Sequence, residues 1–250
     1  MIMKKLLFLS VWITTLVSAG TLHVAMAANM SYAMGAINKR FEMQHPGTKL
    51  QVILGSSGKL AAQIRNGAPI DLFLSANMQY PQVLDKAGLT SGRPVVYAKG
   101  VLVLLSAQPR EFANGLGLLE EKEIQKIAIA NPKTAPYGTA AVEALKHAGL
   151  YEKLKGKFVY GESVSQTITY ATRAADIGIV AKSALFSPQM KQFEKGVHWV
   201  DVDPKLYTPI AQGMVLLKRA ENNEEARAFY DFMQGEDARR ILQTYGYRLP

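Results

Sequence analysis

Short apolar segments alternate with helical patterns along most of the chain, and this alternation constrains the fold more than any other feature. The first three apolar segments cover residues 22–26, 50–54 and 70–74. Between them, apolar residues recur every three or four positions, as on one face of a helix. Short buried strands separated by helices predict an α/β protein with a mainly parallel sheet that helices cover on both faces.

A second alternating set follows a longer apolar segment at residues 95–106. Its strands are predicted at 127–130, 158–160 and 177–180, and another long strand at 210–217 precedes two final helices. Two sets joined by two long segments predict two lobes, with chain crossings near 95–99 and 210–213. Lobe 1 then comprises 20–97 and 213–250, lobe 2 comprises 98–212, and a ligand cleft lies between them. A single large doubly wound domain is the alternative.

The first 19 residues have the pattern of a secretory signal peptide. Lys4 and Lys5 precede an apolar run over residues 6–17, and Ser18 and Ala19 then provide a small-residue cleavage site. The run is shorter than the ~20 apolar residues that span a bilayer, which argues against a membrane anchor. We therefore expect cleavage near Ala19 and an exported mature chain. Cysteine is missing from the sequence, so the amino terminus has no lipid attachment site of that type.

The sequence lacks the motifs of the common catalytic and metal sites. The stretch 55–60 resembles the end of a phosphate-binding loop, but Leu60 follows the lysine where a hydroxyl residue is needed, and Ile53 replaces the first glycine. The absence of cysteine excludes thiolate chemistry. The histidines show no metal-ligand spacing; they are His23, His45, His147 and His198. These observations predict a binding protein without a cofactor rather than an enzyme.

Small and hydroxyl-bearing residues recur where predicted strands pass into helices, at 27–31, 55–58, 136–139 and 162–165. A helix N-terminus carries unpaired backbone N–H groups and the positive end of the helix dipole, so it attracts anions. At any single junction, ordinary helix capping explains such residues. Four junctions in an exported two-lobed chain without catalytic groups instead predict a site for a small oxyanion.

The net charge is basic, with 29 Lys+Arg against 20 Asp+Glu. Removal of Lys4 and Lys5 with the signal peptide lowers it from +9 to +7. The basic residues are spread over helix faces and are not interleaved with aromatic residues, so nucleic acid is not predicted as a partner. A mild long-range attraction for a dianion is the expected effect.

At the same junctions the sequence resembles the periplasmic molybdate-binding proteins of ABC-type molybdate importers. The resemblance is clearest at 24–34, 55–64, 67–76 and 130–138, and it extends over nearly the whole mature chain. The Gly-Ala-Pro-Ile-Asp-Leu-Phe-Leu-Ser-Ala stretch at 67–76 is its most specific part. The resemblance implies a two-lobed type II periplasmic-binding fold, molybdate or tungstate as ligand, a periplasmic location and a membrane permease as partner. We expect a monomer.

The resemblance also implies which residues bind the oxyanion. Asn29 follows the first strand and Ser57 precedes the second helix, while the backbone amides of the second lobe fall on Tyr137 and Val164. These four residues are expected to contact oxygen atoms of the anion, not the metal atom itself. Many members of the family add a tyrosine after the strand at 177–180, where this chain has Ala181. The pocket therefore relies more on Asn29 and on backbone amides.

Three alternatives follow from the same residues, and the third, an exported enzyme, has no candidate catalytic constellation in the sequence. Sulfate has the same charge and shape as molybdate but is smaller, so a sulfate or other small-oxyanion receptor depends on the same donors. A two-lobed effector module of a transcription factor shares the architecture, but the export signal and the missing helix-turn-helix stretch argue against it.

Overall fold

Residues 20–250, which the computed structural model describes, form two five-stranded sheets flanked by helices. The predicted signal peptide, residues 1–19, lies outside the described residues. Among residues 20–250, no helix combines the length and the apolar character needed to cross a membrane. The strands are β1 (Thr21–Ala27), β2 (Lys49–Gly55), β3 (Leu72–Leu74), β4 (Val95–Gly100), β5 (Leu102–Leu105), β6 (Ile127–Ala130), β7 (Phe158–Gly161), β8 (Ile177–Ala181), β9 (Trp199–Asp201) and β10 (Ile210–Leu216). The α-helices are α1 (Ser31–Gln44), α2 (Ser57–Arg65), α3 (Gln79–Lys86), α4 (Pro136–His147), α5 (Tyr151–Leu154), α6 (Val164–Arg173), α7 (Glu224–Gln234) and α8 (Glu236–Thr244).

Each lobe is built on one sheet, and the two sheets have related topologies. The strand order is β2-β1-β3-β10-β4 in the first lobe and β7-β6-β8-β5-β9 in the second. In each sheet four strands run in one direction, and a single strand, β10 or β5, runs against them. The prediction of a two-lobed α/β protein with mainly parallel sheets is therefore confirmed.

The apolar segment at 95–106 is two strands rather than one, and they belong to different sheets. β4 pairs with β10 in the first sheet, and β5 pairs with β8 and β9 in the second. The chain thus crosses between the lobes at Val101, and it returns between β9 and β10. The predicted boundaries at 97/98 and 212/213 fall inside β4 and β10, so they need correction. Apart from Lys99 and Gly100 the segment is almost wholly apolar, and an apolar pattern does not show where a strand changes its pairing partner.

Apolar helix faces cover both sides of the first sheet. α1, α7 and α8 pack on one side, where Phe41 lies edge-on to Phe229 with ring centroids 5.0 Å apart. Leu60 and Ile64 of α2 and Leu84 of α3 cover the other side. The two carboxyl-terminal helices thus belong to the first lobe, although about a hundred residues of the second lobe separate them from β4 in sequence.

Strand register places the helix starts of each lobe at one edge of its sheet. In the first lobe Ala27 pairs with Gly55 at the ends of β1 and β2, and in the second Ala130 pairs with Gly161 at the ends of β6 and β7. Because parallel strands end together, the segments that follow them lie side by side. These are the four junctions that the sequence singled out.

The two sheet edges face each other, and direct hydrogen bonds join them. The Gly58 N–H donates to the Thr134 carbonyl at 2.9 Å, and the Ser165 hydroxyl donates to the Ala28 carbonyl at 2.9 Å. An ion pair joins Lys59 Nζ to Glu162 Oε2 at 2.8 Å. The structure is therefore that of a closed molecule, with its lobes in contact around the cleft.

Candidate functional site

The cleft between the lobes gathers all four residues predicted for the oxyanion site. The space open to the centre of a water-sized sphere is only about 10 Å³, far below the ~300–1,000 Å³ of sites for drug-sized molecules. None of the residues that line it carries a charged side chain. They are Ala27, Ala28, Asn29, Gly55, Ser56, Ser57, Ala76, Ala135, Pro136, Tyr137, Ser163 and Val164.

Ser57 is the first residue of α2 and is 1% exposed. Its hydroxyl oxygen accepts a hydrogen bond from the Ala76 N–H at 2.9 Å, which ties the start of α2 to the loop after β3. The hydroxyl proton is not used in any hydrogen bond among the described residues. Ser57 can therefore anchor the loop and still donate a hydrogen bond to a ligand in the cleft.

Ser56 is a functional candidate that sequence reasoning missed. It precedes α2, is 5% exposed and lines the cleft, yet its side chain forms no capping bond to the helix. Its hydroxyl is buried and has no hydrogen-bond partner within residues 20–250. A buried hydroxyl without a partner is unfavourable unless a ligand satisfies it. The available signal was the pair of adjacent serines, of which only Ser57 was predicted to contact the anion.

The second lobe contributes backbone donors from two helix starts. Tyr137 follows Pro136 in the first turn of α4, where N–H groups have no acceptor inside the helix. The next N–H, of Gly138, is already bonded to the Ala135 carbonyl at 2.8 Å. Val164 is the first residue of α6, which Ser163 caps by accepting from the Gln166 N–H. The amides of Tyr137 and Val164 thus remain available to an anion.

Asn29 lies in the 3-10 turn Ala28–Met30 after β1 and is 1% exposed. Its side-chain Nδ2 donates to Gln212 Oε1 at 3.0 Å and to the Tyr247 hydroxyl at 2.8 Å. Its Oδ1 is buried and has no hydrogen-bond partner in the described chain. As placed, both amide protons of Asn29 therefore point away from the ligand.

A buried polar network surrounds Asn29, and the sequence analysis did not identify it. Gln212 is fully buried in β10, accepts from the Tyr97 hydroxyl at 2.8 Å and donates to the Tyr137 hydroxyl at 3.2 Å. Burial raises the pKa of Tyr97, Tyr137 and Tyr247 above that of a free tyrosine. These hydroxyls therefore stay protonated and neutral, and they add no negative charge behind the anion site. The available signal was a single glutamine within an otherwise apolar strand.

Ala181 occupies the last position of β8, where it pairs with Leu102 and is fully buried. The alanine is not among the residues that line the cleft. Within residues 20–250, no group of three or more His, Asp or Glu side chains is arranged to hold a metal ion. The cleft thus offers neutral hydrogen-bond donors, which can bind the oxygen atoms of a small anion.

Two α/β lobes, two chain crossings and a small interlobe cleft lined by helix starts define a solute-binding protein. The family model for bacterial extracellular solute-binding proteins matches residues 22–248, and the chain belongs to that family. Members of this family bind solutes for transport, so the prediction of a binding protein rather than an enzyme is confirmed.

Known relatives align with this chain over almost its whole length. The chain is 38% identical to the molybdate-binding protein ModA of Azotobacter vinelandii over 233 residues, which are 92% of this chain and 91% of the relative. It is 36% identical to the ModA protein of Rhodobacter capsulatus over 232 residues, 92% of this chain and 89% of the relative. Among solved structures, the periplasmic molybdate-binding protein of Azotobacter vinelandii superposes with a TM-score of 0.84 at 34% identity, covering 92% of this chain and 99% of that one.

Proposed function

We propose that this protein captures molybdate or tungstate in the periplasm and delivers it to the membrane permease of an ABC importer. The observation that carries the proposal is the uncharged cleft in which four helix starts from two lobes converge. Relatives at 36–38% identity that are named molybdate-binding proteins support the choice of ligand.

The chemistry of the cleft suits a fully deprotonated oxyanion. Hydroxyl and backbone N–H groups only need an acceptor, and the oxygens of a tetrahedral dianion accept from every side. Protonated phosphate would need an acceptor such as a carboxylate, and no carboxylate lines the cleft. Ser57, Asn29 and the amides of Tyr137 and Val164 are the proposed contacts, with the hydroxyl of Ser56 as an additional donor.

The closed lobes support a role in capture and release. Hydrogen bonds join the lobes next to residues that line the cleft, so we infer that the anion enters and leaves a more open form. Two chain crossings, at Val101 and between β9 and β10, are the positions at which one lobe can turn relative to the other. We propose that the protein acts as a monomer and that its signal peptide is cleaved near Ala19.

Calorimetric titration of the mature protein with molybdate, tungstate and sulfate tests the proposed ligand. Molybdate and tungstate should bind with a dissociation constant in the micromolar range or below, and sulfate should bind far more weakly. Either ligand at 100 times its dissociation constant should raise the melting temperature by about 5–10 °C, because it binds only the native state.

The titration also separates the proposal from the sulfate alternative. Tight sulfate binding with no response to molybdate or tungstate would reassign the protein as a sulfate receptor. Absence of binding to all three anions would remove the oxyanion role. Size-exclusion chromatography with light scattering tests the monomer, and mass spectrometry of the exported protein locates the cleavage site.

A further inference from the structure

The orientation of the Asn29 side-chain amide is unfavourable for anion binding, and its hydrogen-bond partners hold it in that orientation. With Nδ2 bonded to Gln212 and Tyr247, the group left without a partner is Oδ1, a partially negative oxygen. Asn29 lines the cleft, so this oxygen is the part of the amide that remains for a ligand. An anion in the cleft needs a donor at that position instead.

A side-chain amide has almost the same shape after its oxygen and nitrogen exchange places. If only Asn29 turned over, Oδ1 would face the Gln212 oxygen, and two acceptors would oppose each other. If Gln212 turns over as well, its Nε2 donates to Asn29 Oδ1 and to the Tyr97 oxygen, and its Oε1 accepts from the Tyr137 hydroxyl. Tyr247 then donates to Asn29 Oδ1. Every contact again joins one donor with one acceptor.

The turned-over arrangement leaves the Asn29 amide N–H facing the cleft. The Asn29 backbone carbonyl, which gives up the Tyr247 proton, keeps the hydrogen bond from Ser183 at 3.0 Å. Among residues 20–250 with the cleft empty, the arrangement in the structure leaves Asn29 Oδ1 and the Tyr137 hydroxyl proton without partners. The turned-over arrangement leaves the Asn29 amide N–H and the Tyr97 hydroxyl proton without partners. Each arrangement therefore leaves two polar groups unpartnered in the empty protein, and an anion favours the one that offers it a donor.

We propose that Gln212 is a positioning residue of the anion site, which acts through Asn29. Its amide determines which end of the Asn29 amide faces the cleft, and the two amides turn over together when the anion binds. The inference rests on the proposed function, because it concerns the same site. It adds that a residue of the return strand β10, without contact to the ligand, controls the number of donors that the ligand meets.

The central test measures molybdate affinity for Gln212→Met, Asn29→Ala and the double variant by calorimetry, with unfolding followed in parallel. Methionine fills a similar volume but cannot hold the Asn29 oxygen. Gln212→Met should therefore weaken binding about tenfold to a hundredfold, as expected for loss of one hydrogen bond to a charged group. In the Asn29→Ala background Gln212→Met should weaken binding less than about threefold, because the Asn29 amide through which Gln212 acts is already missing.

Tyr97→Phe is the matched control. It removes another hydrogen bond of Gln212 at a site of equal burial but leaves the contact with Asn29 intact. Its affinity should stay within about threefold of the unsubstituted protein, even where its melting temperature falls as far as that of Gln212→Met. Equal losses of affinity in Tyr97→Phe and Gln212→Met would show a general structural role and overturn the inference.

A second measurement needs no substitution and covers the case in which Gln212→Met does not fold. In the ¹⁵N-labelled protein, the assigned side-chain amide signals of Asn29 and Gln212 should both shift when molybdate is added. A shift of the Asn29 signals with unchanged Gln212 signals would contradict the coupled motion. The proposed function fails separately, if the unsubstituted protein binds neither molybdate nor tungstate.

Discussion

The two neighbouring serines at the start of α2 differ in their partners, and this difference predicts different effects of substitution. Ser57→Ala removes a donor to the anion and leaves the Ala76 N–H without its acceptor. We expect it to lower both the affinity for molybdate, by ~1.5–3 kcal/mol, and the free energy of unfolding, by ~1–3 kcal/mol. Ser56→Ala should lower the affinity, while the free energy of unfolding of the ligand-free protein stays within ~0.5 kcal/mol, because its hydroxyl has no protein partner to lose.

Calorimetry and urea denaturation of both variants check these expectations. Asn223→Ala is the control for stability alone, since Asn223 caps α7 by accepting from the Ala226 N–H and does not line the cleft. It should lower the free energy of unfolding by ~1 kcal/mol without changing the affinity. Unchanged affinity in Ser57→Ala would remove that serine from the proposed site.

At the same scale, local sequence was enough to predict which helix starts line the cleft. The four predicted residues lie between two and seven residues after the end of a strand, in or next to a helix start, so the chemistry of a helix start was visible in short local stretches of sequence; they are Asn29, Ser57, Tyr137 and Val164. The network behind them was not visible, because its contacts join distant parts of the chain. Asn29 is 183 residues from Gln212 in sequence, and no local pattern reports that the two side chains meet.

At the scale of elements, α4 lies very close to the end of β6, and glycine permits this approach. A Cβ atom at Gly138 would overlap the backbone of Ala130 and lie 2.9 Å from the carbonyl carbon of Asn131. Gly138→Ala should therefore push the start of α4 away from the sheet, with a loss of ~1–3 kcal/mol in the free energy of unfolding. Because Tyr137 moves with this helix start, the affinity for molybdate should fall as well.

Gly35→Ala is the matched control for the glycine prediction. Gly35 also lies inside a helix, α1, but a Cβ there would meet no atom within 4 Å. Alanine should raise the free energy of unfolding by about 0.5–1 kcal/mol, through its better helix propensity, and leave the affinity unchanged. Urea denaturation and calorimetry compare the two variants, and an equally mild effect of Gly138→Ala would show that α4 can retreat without disturbing the site.

Element types were predictable from periodicity, whereas strand pairing was not. The alternation of strands and helices gave the mainly parallel sheets, and the spacing of Met34, Ile37 and Phe41 gave the buried face of α1. The segment at 95–106 has the composition of one long strand, because almost all of its residues are apolar. Its division between two sheets follows from the partners, β10 and β8, which lie far along the chain.

On the scale of the whole molecule, the charge is carried by the surface and not by the site. Residues 20–250 have a net charge of +7, from 27 Lys+Arg and 20 Asp+Glu, yet the cleft contains no charged side chain. The cross-cleft pair of Lys59 and Glu162 is exposed, with 48% and 72% of the side chains accessible, and such pairs contribute little. Long-range attraction and short-range binding are therefore performed by different parts of the protein.

This separation predicts how salt affects the two rates of molybdate binding. The screening length falls from ~30 Å at 0.01 M salt to ~3 Å at 1 M, so attraction between the basic surface and an approaching dianion disappears over that range. The association rate should fall severalfold, because steering depends on the field of the whole molecule. The dissociation rate should stay within about twofold, because buried hydrogen bonds between neutral donors and the anion are screened far less. Stopped-flow measurements of intrinsic fluorescence at several salt concentrations give both rates. A dissociation rate that rises as steeply as the association rate falls would show that surface charges, and not the helix starts and hydroxyls of the cleft, hold the bound anion.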